Sequence, residues 1–153
     1  MVFSRLDPIQ TRVLLVDRDP LMLTAMGAVM DMQGYKALLA RTEDVAMQAI
    51  AECQIDLIVL AISDVDTGCA LAKRLRSLEQ TRDVPVIFLV PQLNAEWSSK
   101  LQAEGGIYSL LHPIDPHALI DLVAMAIWMP HVAQSRMGIP SSHLAVAHDW
   151  VRL

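Results

Sequence analysis

The sequence predicts an α/β fold, a doubly wound domain on a five-stranded parallel sheet, from three observations. Apolar, β-branched runs recur along the chain, helical patterns separate them, and each run leads into a polar turn. The central run is Asp56-Leu57-Ile58-Val59-Leu60-Ala61-Ile62, followed by the loop Ser63-Asp64-Val65-Asp66-Thr67-Gly68. An unbroken apolar run of this length reads as a strand buried on both faces, as in the middle of a parallel sheet. Ligands bind such sheets at the carboxyl ends of the strands, and here that end carries Ala61, a residue without chemistry.

The other elements follow in chain order. Val13-Leu14-Leu15-Val16 is a second buried strand, ending at Asp17-Arg18-Asp19-Pro20. Pro20 suits a first helical position, and the helix over 21–33 carries Met22, Met26, Val29, Met30 and Met32 before Gly34 stops it. A short strand spans 36–40. Thr42 then caps a helix to about Cys53 whose first turn holds Glu43 and Asp44, the favoured sign there. Gly68 leads an amphipathic helix through Leu71, Leu75 and Leu78, with Lys73, Arg74 and Arg76 outside. The fourth strand is read over 84–90, and Asn94 caps a helix to Glu104 that ends at Gly105-Gly106. A fifth strand over 107–111 leaves at His112-Pro113, and Asp115-Pro116 starts the last helix of the domain, to Met129. Right-handed crossovers make 2-1-3-4-5 the expected strand order.

Composition bounds the function. The 153 residues make one domain, and 12 basic against 17 acidic residues give a net charge of −5. That balance offers no footprint for nucleic acid. No apolar run reaches the roughly 18 residues of a membrane span. Residues 1–11 mix Arg5, Asp7 and Pro8 and do not read as a signal peptide, so a cytoplasmic protein is expected. Cys53 and Cys69 sit in predicted helices without ligand partners and read as reduced core thiols. With 54% hydrophobic and only 19% charged residues, the chain is greasy, and a partner or the chain itself should cover the surplus.

At four places in order the chain resembles the receiver domain of bacterial two-component response regulators. VLLVDRDP is similar to the first strand and its acidic turn, DLIVLAI to the third strand, and the stretch 68–76 to the helix after it. VPVIFLVP and LLHPIDP are similar to the fourth and fifth strand ends. The likeness spans residues 11–129 and implies the flavodoxin-like receiver fold.

In that family a phosphorylatable aspartate is served by two Mg²⁺-binding acids, a Ser/Thr and a lysine. Magnesium and lysine neutralise charge on a phosphoryl group attacked by a carboxylate. Carried onto this chain, the acceptor position falls on Ala61, which has no oxygen nucleophile. The acidic pair falls on Asp17 and Arg18, so a fixed cation replaces one metal ligand. The Ser/Thr position falls on Val90, the lysine on His112 and the switch aromatic on Ser109, with Tyr108 one place early. The loop after the central strand is one residue shorter and lacks the family's Met-Pro pair. The resemblance therefore implies a degenerate pseudo-receiver that phosphate does not switch, with a residual pocket of Asp17, Arg18, Ala61, Ser63, Val90 and His112.

Other chemistry is disfavoured residue by residue. Asp64 or Asp66 as a substitute acceptor would require the loop to rebuild the whole pocket. Asp17 and Asp19 read as solvated loop acids rather than a metal site, and His112 has no nucleophile beside it. Ser141-Ser142-His143 lacks a glycine elbow, and His117, His131 and His148 have no metal spacing. No enzyme activity, metal or cofactor is expected. A nucleotide is disfavoured because no glycine-rich loop opens the first helix.

The last domain helix is apolar all round except Asp121, and the first carries one charge, Asp31. In the expected order these two helices are neighbours, and they should form an apolar interaction face including Met22, Met26, Val29, Leu122, Met125 and Trp128. Residues 130–153 read as a linker and a C-terminal helix, capped by Ser141 and running through Trp150 to Leu153. That extension should pack on the domain or on a second copy, and a homodimer is expected. Two functions remain: a phosphorylation-independent adaptor for a signalling protein, such as a histidine kinase or phosphotransfer protein, or a small-ligand sensor using the residual pocket.

Overall fold

The computed structural model describes residues 11–128 and 150–152. Five parallel strands alternate with helices: β1 (Arg12–Val16), α1 (Pro20–Met32), β2 (Lys36–Ala40), α2 (Glu43–Glu52), β3 (Leu57–Ala61), α3 (Val65–Leu75), β4 (Val86–Val90), α4 (Ala95–Ala103), β5 (Gly106–Leu111) and α5 (Pro116–Trp128). A sixth strand, β6 (Trp150–Arg152), follows, and the sheet order is β2-β1-β3-β4-β5-β6. The five parallel strands thus take the expected 2-1-3-4-5 order.

Strand alternation divides the core into two layers. Val13, Leu15, Leu57, Val59, Ile87, Leu89, Tyr108 and Leu110 face α1 and α5. Leu14, Val16, Ile58, Leu60, Val86, Phe88 and Val90 face α2, α3 and α4. Leu57, Ile58, Val59 and Leu60 are all fully buried, as the unbroken apolar run requires. At the amino end, the Asp56 carboxylate accepts from the Arg12 backbone N–H at 2.9 Å and ties β3 to β1.

Several expectations change. Helix α3 starts at Val65, three residues before Gly68, because Asp64 caps it: its Oδ2 accepts from the Thr67 N–H and hydroxyl, each at 2.9 Å. Gly68 serves packing instead, since a Cβ there would lie 2.5 Å from Ile62 Cγ2. Strand β4 begins at Val86 rather than Val84, because the Val84 N–H bonds back to Thr81 in a turn that follows the 3-10 segment Glu79–Thr81. The expected helix through Trp150 to Leu153 is corrected to a strand over Trp150–Arg152, antiparallel to β5. The helical spacing of apolar residues there carried no knowledge of the free edge of β5, whose backbone groups this segment pairs. The linker, its Ser141 cap and the rest of the expected tail helix lie outside the described residues.

The apolar face is also corrected. Met26 is 2% exposed and Leu122 fully buried, so both belong to the core between the sheet and the two helices. Met22, Val29 and Met125 are only partly buried but pack against that core. Trp128 ends α5 and Trp150 begins β6. Among the described residues, the large apolar side chains most exposed to solvent are Leu21, Met32, Leu39 and Val45, the first two more than 80% exposed.

At the amino edge of the sheet, Gly105 turns the chain into β5 with φ +84°, and the Arg76 guanidinium occupies the space a Cβ would take. Arg76 is held there by a 2.6 Å bond from Nη2 to the Arg82 carbonyl. Gly105→Ala therefore meets both a left-handed backbone and a blocked volume, and should lower stability by about 1–3 kcal/mol in urea unfolding.

Candidate functional site

The carboxyl edge of the sheet is built by the ends of five strands. The Asp17 N–H donates to the Ala40 carbonyl at 3.1 Å, Ile62 N–H to Leu89 at 3.0 Å and His112 N–H to Val90 at 3.0 Å. These bonds hold the first residues after β1, β3 and β5 in line with their neighbours. The helices that leave this edge are capped by the loop residues themselves, three of them beside the cleft. Asp19 Oδ1 accepts from the Leu21 and Met22 N–H groups at the start of α1, Thr42 Oγ1 from Val45 at α2, and Asp64 from Thr67 at α3.

Above the edge lies an open cleft of about 1260 Å³. Its floor is Val16, Asp17, Ala61 and Ile62, and Arg18, Ser63, Asp64 and His112 rim it. Five of the six residues of the expected pocket thus line one cleft. Val90 does not: its side chain is fully buried in the core layer on the side of the sheet facing α2, α3 and α4. His112 precedes Pro113 through a cis peptide bond.

Asp17 is the most buried carboxylate of the cleft, at 9% exposure, and its Oδ1 accepts from the Asp19 N–H at 2.9 Å. Arg18 beside it is exposed, so its cation stands at the rim. The Asp64 carboxyl is held below the ordinary carboxylate range, first by the Thr67 N–H and then by the Thr67 hydroxyl. Asp64 and Asp19 both accept from helix-start N–H groups, so these two acids are engaged in structure. Among the described residues no group of three His, Cys, Asp or Glu side chains is arranged to hold a metal ion.

The cleft extends further than the sequence indicated. Arg41, Thr42, Glu43, Val45, Leu71 and Arg74 line its second half, between α2 and α3. There Arg74 forks onto Glu43, Nε to Oε1 and Nη2 to Oε2, a contact between helices 31 positions apart in sequence. The fork raises the Arg74 guanidinium still further above its ordinary pKa. The Thr42 cap was the available signal, because it places the start of α2 at the same sheet edge as Asp17 and Asp64. The thiol of Cys69, pushed up first by burial and then by the Glu104 carboxylate, is kept protonated.

Val90 has become part of the packed core, so a hydroxyl at this position would enter apolar surroundings. Val90→Thr should cost about 1–3 kcal/mol in chemical denaturation. An unchanged unfolding midpoint would mean that the new hydroxyl reaches the cleft.

Comparison with known proteins follows the same lines. The family described as the response regulator receiver domain matches residues 13–132. No curated protein matches the chain. Similar solved structures include the chemotaxis protein CheY4 of Vibrio cholerae, 22% identical with a TM-score of 0.67, covering 74% of this chain and 95% of that one. A CheY-like receiver domain protein of Methanospirillum hungatei is 19% identical with a TM-score of 0.68, over 82% of this chain and 98% of that one. A two-component response regulator of Clostridium difficile is 24% identical with a TM-score of 0.68, over 78% and 96%. The order of the sheet, the loops at its carboxyl edge and the family match over residues 13–132 agree: the chain belongs to the response regulator receiver domains of two-component signalling.

Proposed function

We propose that this receiver is not switched by phosphate and serves as a cytoplasmic adaptor, binding a signalling protein such as a histidine kinase or phosphotransfer protein. One observation carries the reading. The carboxyl end of β3, where the family places its acceptor aspartate, holds Ala61 on the floor of the cleft. A methyl group cannot attack phosphorus, so an acyl phosphate at this place has no nucleophile. The surroundings agree with that loss. Arg18 takes the place of a metal-binding acid, Val90 is committed to the core, and His112 offers an imidazole in place of an ammonium.

A receiver without its switch still presents a folded surface. Leu21 and Met32 on α1 are strongly exposed, and Leu39 and Val45 partly so. We take these four side chains as candidate docking contacts. The excess of acidic over basic residues favours a protein partner over nucleic acid. The greasy composition supports a homodimer as a further state of the chain.

The test uses the full chain with Mg²⁺ and acetyl phosphate or phosphoramidate, read by intact mass. No phosphoryl mass is expected. Affinity for each histidine kinase and phosphotransfer protein of the source organism should be the same with and without the phosphodonor. A hydroxylamine-sensitive phosphoryl adduct, on Asp64 or Asp66, or an affinity that follows the phosphodonor, would overturn the reading.

The open cleft favours a second reading, a sensor for a small ligand held between Asp17, Arg18 and the α2–α3 wall. A ligand that binds only the folded state raises the melting temperature. A thermal-shift screen of metabolites and nucleotides should give no saturable rise if the adaptor reading holds, and a saturable rise with one compound if the sensor reading does.

A further inference from the structure

We propose that the outer edge of β5 is a strand-acceptor site and that its occupant in trans is β6 of a second copy, exchanged reciprocally. The proposal rests on the homodimer named above and specifies its contact.

The edge is made by Tyr108, Ser109 and Leu110, which pair with Arg152, Val151 and Trp150 of β6 in antiparallel register. All three β5 side chains are at most 1% exposed. With side chains buried on both faces, this edge offers an incoming chain little but its backbone N–H and C=O groups. An extended segment is the shape that satisfies such a row. Among the described residues this segment spans three positions, Trp150–Arg152, at the short end of strand lengths. The opposite edge, β2, is unlike it: Lys36 is exposed there, and a charged residue guards an edge against added strands.

A second copy is the occupant because it carries the one strand whose register on this edge is known. Reciprocal exchange gives a two-fold arrangement in which each β5 recovers the same backbone bonds it has in the single chain. The covalent connection permits it. Residues 129–149 separate α5 from β6, 21 residues that can span at most about 70 Å when extended. Exchange alone adds no new bond, so the dimer forms near the effective concentration of the tethered strand, of millimolar order. Ile120, Ala124 and Met125 of α5, half-buried beside β5, supply apolar area that strengthens it when two copies meet at this edge.

The experiment compares the full chain with Val151→Pro, which removes a backbone N–H from β6 and resists pairing. Sedimentation velocity, from dilute solution up to the concentration of an NMR sample, reports the dimer. A mixture of isotope-labelled and unlabelled wild-type chains reports which copy supplies the strand. The expected result is a concentration-dependent dimer, lost in the variant, with intermolecular contacts between Ser109 and Val151. A dimer that persists in Val151→Pro, with only intramolecular β5–β6 contacts, overturns strand exchange and leaves the homodimer standing. A monomer at every concentration overturns both, and leaves the adaptor reading to the phosphodonor test. The labelled mixture uses the wild-type chain, so it decides even if the proline variant is poorly folded.

Discussion

Burial of the central strands on both faces is the constraint on which the rest of the structure depends. Leu57 to Leu60 and Val86 to Val90 are completely enclosed, and each such side chain gains on the order of 1.5–3 kcal/mol from leaving water. A sheet enclosed in this way needs helices on both sides, and parallel strands need a crossover for each pairing. Every strand-to-helix loop is then delivered to the same edge. The cleft is a consequence of that geometry before any residue in it has a role, which is why a receiver can lose its chemistry and keep its shape.

The positions around the cleft differ in their surroundings. Ala61 and Arg18 both line the open cleft, Arg18 exposed and Ala61 half-buried against the core. Val90 differs, because it is fully buried in the core layer that also holds Trp97 and Leu101. Gly68 lies too close to Ile62 for any side chain, and a Cβ there would collide although alanine is the better helix former by about 1 kcal/mol. Contact with a β-branched side chain at 2.5 Å outweighs that propensity.

Much of this was legible in the sequence, for identifiable reasons. Unbroken apolar runs marked β1, β3 and β4, Pro20 marked the start of α1, and Thr42 and Asn94 marked helix starts through their side-chain oxygens. These signals are local, and local physics suffices to read them. The start of α3 was misplaced because Gly68 looked like a leader, whereas its reason for being glycine is a tertiary contact with Ile62. Met26 and Leu122 looked like a docking face because a helix apolar all round does not say which side the sheet will cover. The far half of the cleft was invisible for the same reason: Glu43 and Arg74 meet only after α2 and α3 have packed against one layer of the sheet.

The tail shows how a local pattern yields to an edge. Trp150, Val151 and Leu153 have a spacing compatible with a helical stripe, and a short isolated helix gains little in water. An antiparallel partner waiting at β5 satisfies backbone groups on both chains at once, and tryptophan and valine suit a strand as well. Among the described residues, Trp150–Arg152 pair with three positions of the six-residue strand β5. The pairing runs through backbone groups, and bonds of that kind do not distinguish the strand of one chain from the identical strand of another.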